Sequence, residues 1–110
     1  MEMTTRHVQG VTIVDVSGRL DTGSSGAAAD GLARIAQTDG AKLLLNLEQL
    51  EFLSSAGLRV ILRTAKTLRK RSGEVKLCNA RGVVAEVLEG AGFGELLHLC
   101  SSEKSALEAF

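Results

Sequence analysis

The residues best placed to do chemistry lie in one segment, Leu50-Glu51-Phe52-Leu53-Ser54-Ser55-Ala56-Gly57-Leu58-Arg59. Two adjacent serines stand where a strand and its following loop give way to an amphipathic helix. Serine is a favoured helix N-cap and contributes about 1 kcal/mol there. One serine suffices for a cap, so the second hydroxyl is open to another use. Gly57 is a further departure, because glycine in a first helical turn costs roughly 1 kcal/mol relative to alanine. Close approach of another chain or a phosphate to the backbone would account for it. A phosphate on Ser55 would carry about −1.5 to −2 charges at neutral pH. The free amides and positive dipole end of a helix N-terminus accommodate that charge. Arg59, four residues on, shares the same helical face. Phosphorylation would leave the fold intact and make a neutral patch dianionic, which is a binding switch without an active site. A plain cap is equally compatible with these residues.

Other chemistry is sparse. His7 and His98 are the only histidines. His7 is expected on an edge strand, and His98, in an apolar segment, reads as a satisfied structural histidine. The chain has no G-x-S-x-G elbow, no P-loop and no H-E-x-x-H. Asp15, Asp21, Asp30 and Asp39 lack metal-loop spacing. Gly90-Ala91-Gly92-Phe93-Gly94 follows a helix rather than opening one, so it reads as a helix stop with Phe93 packed back on the core. Cys78 and Cys100 are too few and too distant for a zinc ribbon or a C-x-x-C pair, and are expected as small buried apolar residues. The expectation is a protein that is not an enzyme, with no catalytic residue, no metal and no cofactor.

The elements that must position the serines alternate between strand and helix. Met3 to Val8 and the β-branched run Val11–Ser17 form a hairpin about Gln9-Gly10. Ser24 and Ser25 offer a cap for a helix carrying Ala28, Leu32, Ile35 and Ala36, ended by Asp39-Gly40. Leu43-Leu44-Leu45-Asn46-Leu47 suits a central strand covered on both faces. Leu58, Ile61, Leu62, Ala65 and Leu68 define the helix after the serines, with Arg59, Arg63, Lys66, Arg69 and Lys70 on its other faces and a stop at Ser72-Gly73. A strand at Val75–Cys78 follows. Val83, Val84, Val87, Leu88 and Ala91 then mark a helix closed by Gly90 and Gly92. Leu96–Leu99 reads as a last strand, and Ser101-Ser102 as the cap of a helix with Ala106, Leu107 and Phe110. The predicted class is α/β: a mixed sheet of four to five strands, an N-terminal antiparallel hairpin, parallel central strands and about four helices.

Composition sets the outer limits. The 110 residues make one expected domain over 1–110, with 45% hydrophobic and 24% charged residues. Thirteen basic and thirteen acidic residues cancel, which argues against a nucleic-acid binder. Three Phe and no Trp or Tyr argue against stacking platforms. No apolar stretch follows the N-terminal Met1–Arg6, so no secretory signal is read. Leu43-Leu44-Leu45 falls far short of the roughly 20 residues that span a bilayer. A cytoplasmic monomer without membrane insertion is expected.

The run Phe52-Leu53-Ser54-Ser55-Ala56-Gly57-Leu58-Arg59-Val60-Ile61-Leu62 resembles the signature of STAS domains, in particular bacterial anti-sigma factor antagonists of the sporulation and stress-response type. Gly18-Arg19-Leu20-Asp21, Leu43–Leu47 and Gly90-Ala91-Gly92-Phe93 fall in matching places. Where such proteins carry Asp-Ser-Ser-Gly, this chain has Ser54, Ser55, Ala56 and Gly57. The resemblance implies that Ser55 is the phosphorylated residue, with Ser54, which stands in place of the Asp, as the less favoured acceptor. It implies a partner that is both anti-sigma factor and serine kinase, with an ATPase-type fold, bound only by the unphosphorylated form. A PP2C-type phosphatase would reverse the modification. The implied docking face joins Asp21, Thr22, Ser54, Ser55, Gly57, Leu58 and Arg59, with local loop capping as the other role open to Asp21. Two alternatives share the chain's features: a STAS subunit docking on a membrane transporter complex without phosphorylation, and, less favoured for want of a phosphate-cradling loop, a nucleotide binder.

Overall fold

The computed structural model describes residues 1–91 and 97–110. Strands β1 (Glu2–Val8) and β2 (Val11–Leu20) form the antiparallel hairpin, turned by Gln9 and Gly10 at positive φ. Helix α1 (Ser25–Ala36), strand β3 (Lys42–Asn46), strand β4 (Leu50–Leu53) and helix α2 (Ser55–Lys70) come next. Strand β5 (Glu74–Cys78), helix α3 (Gly82–Gly90), strand β6 (His98–Cys100) and helix α4 (Glu103–Ala109) complete the chain. The α/β class, the hairpin, the parallel strands and the four helices agree with the pattern of the sequence. The sheet order is β1-β2-β3-β5-β6, with every pair after the hairpin parallel.

The sheet has six strands, where four to five were expected. The extra strand is β4, which pairs with the far end of β2. β2 runs through Gly18 instead of stopping there. Its first half pairs with β3 through Thr12 to Asp15, and its last residues pair with β4. The register shifts between Gly18 and Arg19, where Gly18 has φ +83°. A bulge of this kind bends a strand and re-aims its remaining residues. Here it turns the end of β2 toward the start of α2.

Two clusters of apolar side chains sandwich the sheet. The larger joins Leu43, Leu45 and Leu77 to Leu32 of α1, Ile61 and Leu68 of α2 and Leu88 of α3. The smaller joins Val11, Ile13, Leu44 and Cys78 to Ala106 of α4. The consecutive leucines of β3 therefore alternate between two buried faces, as period-2 side-chain geometry requires. α4 is started by Ser102, whose hydroxyl accepts from Ser105 N at 3.0 Å in a capping box. It is tied to the hairpin by Arg6, which reaches Asp15 at 2.7 Å and Glu103 at 2.6 Å.

Several local expectations shift. Ser24 occupies the N-cap position of α1 but makes no side-chain cap. Cys78 is buried, whereas Cys100 is only half-buried, because it ends a short strand at the edge of the sheet. β6 begins at His98, one residue past Leu97, which is buried. α3 ends at Gly90 with Ala91 as its C-cap. The expected roles of Gly92, Phe93, Gly94 and Leu96 lie outside the described residues.

Candidate functional site

The two serines divide the work. Ser54 is the N-cap of α2, extended at φ −89° and ψ 171°, and its Oγ accepts from Gly57 N at 3.2 Å. Its own amide donates to Leu20 O at 3.0 Å. Ser55, the first residue of the helix, is exposed, and its hydroxyl makes no hydrogen bond to any described residue. First-turn amides such as those of Ser55 and Ala56 have no intrahelical acceptor. The site therefore presents a solvent-facing hydroxyl at the positive end of a sixteen-residue helix dipole. Arg59 is exposed one turn further on and has no ion-pair partner among the described residues. Arg63, Lys66, Arg69 and Lys70 are exposed along the same helix.

Gly57 has a different explanation from the one its position suggested. It is buried, and a Cβ added to it would stand 2.7 Å from Leu20 Cγ, 2.7 Å from Leu20 O and 2.9 Å from Leu53 Cδ1. The close approach that the glycine serves comes from β2 and β4 of the same chain. Gly57 thus lies beneath the surface expected for partner contact. It lets α2 start directly against Leu20, which brings the Asp21 loop next to the N-cap.

That loop is closed by its own side chains. Asp21 Oδ1 accepts from Ser24 N at 3.1 Å, and Ser24 Oγ accepts from Asp21 N at 3.0 Å while donating to Arg19 O at 2.8 Å. Donation from the Ser24 amide, with help from its hydroxyl, the Gly23 amide and Arg19, holds the Asp21 carboxyl below the usual carboxylate range. Asp21 thus performs the loop-capping role. Ser25 Oγ donates to Thr22 O at 3.1 Å. Thr22 is exposed, while Leu58 is half-buried against the core.

One feature of the site had no distinct signal in the sequence. Arg19 of β2 lies over the ring of Phe52 of β4, 4.2 Å from its centroid, and approaches Asp21 at 3.7 Å. Arg19 and Phe52 are register partners only because β4 pairs with β2. Away from the site, His7 is exposed on the edge strand β1. His98 is exposed as well, and its Nδ1 lies 2.9 Å from Nζ of the buried Lys76. Among the described residues, no group of three or more His, Cys, Asp or Glu side chains could hold a metal ion. No described helix is long and apolar enough to cross a membrane.

A mixed sheet opened by an antiparallel hairpin, with an exposed serine at the start of its second helix, defines a class. The chain belongs to the STAS domain family, whose model matches residues 2–106. It is 33% identical, over 100% of its length and 95% of the relative's, to BtrV of Bordetella bronchiseptica, assigned as an anti-sigma factor antagonist. The anti-sigma F factor antagonist of Paenibacillus polymyxa is 29% identical, with 97% of this chain and 92% of that one covered. Among solved structures, an anti-sigma factor antagonist from Mycobacterium paratuberculosis superposes with a TM-score of 0.86 at 27% identity, covering 98% and 92% of the two chains.

Proposed function

We propose that this protein is an anti-sigma factor antagonist working by partner switching, with Ser55 as its phosphorylated residue. In its unphosphorylated form it binds an anti-sigma factor that is also a serine kinase of ATPase-type fold, and so frees that factor's client. The kinase uses ATP to phosphorylate Ser55, and the complex separates. A PP2C-type phosphatase restores the binding form. In this reading the chain is a ligand and a substrate, and it catalyses nothing itself.

The observation that carries the reading is the split between the serines: Ser54 caps α2, and Ser55 is exposed with a hydroxyl engaged by no described residue. Full-length likeness to proteins named anti-sigma factor antagonists supports the partner class. The electrostatics support a switch that leaves the fold alone. A phosphoserine at the first position of α2 meets first-turn amides and the helix dipole, each favourable to negative charge. Arg59 is within one turn and could pair with it. A partner fitted to a neutral Ser55 would meet a dianion, with the desolvation and like-charge penalties that this brings. The exposed Thr22 and Arg59 and the half-buried Leu58 and Asp21 supply the rest of the contact surface.

The test is intact mass with peptide mapping, on protein isolated from its own cell and again after incubation with its cognate kinase and ATP. One phosphate on Ser55, lost in Ser55→Ala and retained in Ser54→Ala, is the expected result. Absence of phosphate from both serines with an active kinase present would refute the switch and favour transporter docking instead.

A further inference from the structure

Cys78 and Cys100, remote in the sequence, are direct neighbours in the sheet. They are register partners on the parallel strands β5 and β6. Register partners project to the same face of a sheet. Both face α4: Cys78 is a fully buried member of the cluster around Ala106, and the half-buried Cys100 packs against that cluster. Neighbouring strands run about 4.8 Å apart. That separation falls inside the roughly 4.4–6.8 Å between Cα atoms that a disulfide bridges. Neither cysteine is in a disulfide. The Cys78 thiol donates to Asn46 Oδ1 of β3 at 3.9 Å and accepts from Asn79 Nδ2 at 3.7 Å, so its Sγ turns from the β3 side to meet Cys100. We propose that Cys78 and Cys100 are a modification site, closing into a reversible intramolecular disulfide when the protein meets a peroxide-class oxidant.

The two thiols have unequal roles. Burial, with the nearby charges of Glu103, Cys100 and Asp15, pushes the Cys78 thiol up to about 12. Cys78 is therefore a poor first nucleophile, since the thiolate is the reactive form. Cys100 ends a three-residue edge strand and reaches solvent. It meets the oxidant first: its thiolate attacks one peroxide oxygen, the O–O bond breaks, and a sulfenic acid forms. The departing hydroxide takes up the proton that Cys100 released and leaves as water. The Cys78 sulfur then attacks the sulfenic sulfur, the S–S bond forms and the S–O bond breaks. The second hydroxide takes the Cys78 proton and also leaves as water. Two thiols and one peroxide become one disulfide and two waters.

The second step needs the buried Cys78 to lose its proton. The relaxed Cβ separation in a disulfide, about 3.5–4.5 Å, is tighter than the strand spacing. β6 is paired only with β5 among the described strands, so it can close the difference by moving inward. The bond formed is strained and so is easily reduced.

The experiment treats the purified wild-type chain with hydrogen peroxide, blocks free thiols, digests with trypsin without reductant, and repeats the digest after dithiothreitol. The expected product is a monomeric chain lighter by two hydrogens, with fragment Leu77–Arg81 joined to Gly82–Lys104 until reductant separates them. Cys100→Ser abolishes the link while keeping the wild-type thermal unfolding curve. Cys78→Ala leaves a sulfenic acid at Cys100 that a carbon-acid trap captures. Cross-links only between two chains, over-oxidation of Cys100 in place of the link, or no reaction would each overturn the proposal.

Discussion

Replacing Gly57 by alanine sets two physical effects against each other, and the structure decides the sign. Helix propensity favours the substitution by about 1 kcal/mol. Packing opposes it. The new methyl would stand 2.7 Å from Leu20 Cγ and from Leu20 O, and 2.9 Å from Leu53 Cδ1. Ordinary carbon contacts lie at about 3.5–4.0 Å. The two leucine side chains can turn aside, but the Leu20 carbonyl cannot. It accepts the Ser54 amide at 3.0 Å, and its residue is paired with Leu53 in the sheet. Forcing one methyl into a packed site costs roughly 1–3 kcal/mol. A fixed carbonyl among the obstructing atoms places this site in the upper part of that range. The net expectation is a loss of about 1–2 kcal/mol once the propensity gain is subtracted. At about 2.1 cal/mol/K of unfolding entropy per residue, each kcal/mol lowers the Tm of a 110-residue domain by roughly 4 °C, so a fall of about 4–9 °C is expected. Thermal unfolding followed by circular dichroism, with urea denaturation at 25 °C as a second measure, reads the difference. A Gly57→Ala protein as stable as the wild type, or more so, would refute the packing argument and return Gly57 to the surface role its sequence position suggested.

The remaining predictions concern the serines and the charged groups. Ser54→Ala removes the acceptor for Gly57 N and should cost about 1 kcal/mol, whereas Ser55→Ala should stay within about 0.5 kcal/mol of wild type; urea titrations of both separate the cap from the exposed hydroxyl. Ser55→Asp puts a carboxylate at the positive end of α2 and should raise stability by about 0.3–1 kcal/mol while weakening the partner complex; a fall in both stability and binding would contradict the switch. The Asp15 carboxyl is held below its ordinary range, chiefly by Arg6 and also by Asn46, against the opposing effect of burial. A carboxylate depressed in the folded state adds stability above its unfolded pKa, near 3.9, and loses it as pH falls through the folded value. Asp15→Asn should therefore be less stable at neutral pH and show a shallower loss of stability on acidification below about pH 4; parallel slopes in the two acid titrations would exclude the contribution.

Much of this architecture was legible in the chain because it is local. The spacing of Leu58, Ile61, Ala65 and Leu68 marks one face of α2 wherever that helix packs, and Ser54 satisfies an amide three residues away. The leucines of β3 announce a strand buried on both sides through side-chain alternation alone. Local hydrogen bonds and periodicities are properties of adjacent residues, so the sequence by itself determines them. It was likewise enough to leave one of the two serines spare, since one cap needs one serine; the start of α2 makes Ser54 the cap and Ser55 the spare.

Tertiary structure decided everything that depends on residues brought together from afar. β4 became a sixth strand because the shift at Gly18 turns β2 toward it, and four residues are too few to announce a strand by pattern. The reason for Gly57 is Leu20, far earlier in the chain and in contact only after β2 and α2 meet. Asp21 and Ser24 were visible as loop residues, but the direction in which the loop leaves β2 settled which of them capped which amide. Cys78 and Cys100 became neighbours through the register of β5 and β6. Strand register and helix docking are fixed by burial of the whole core, which no short window of residues contains.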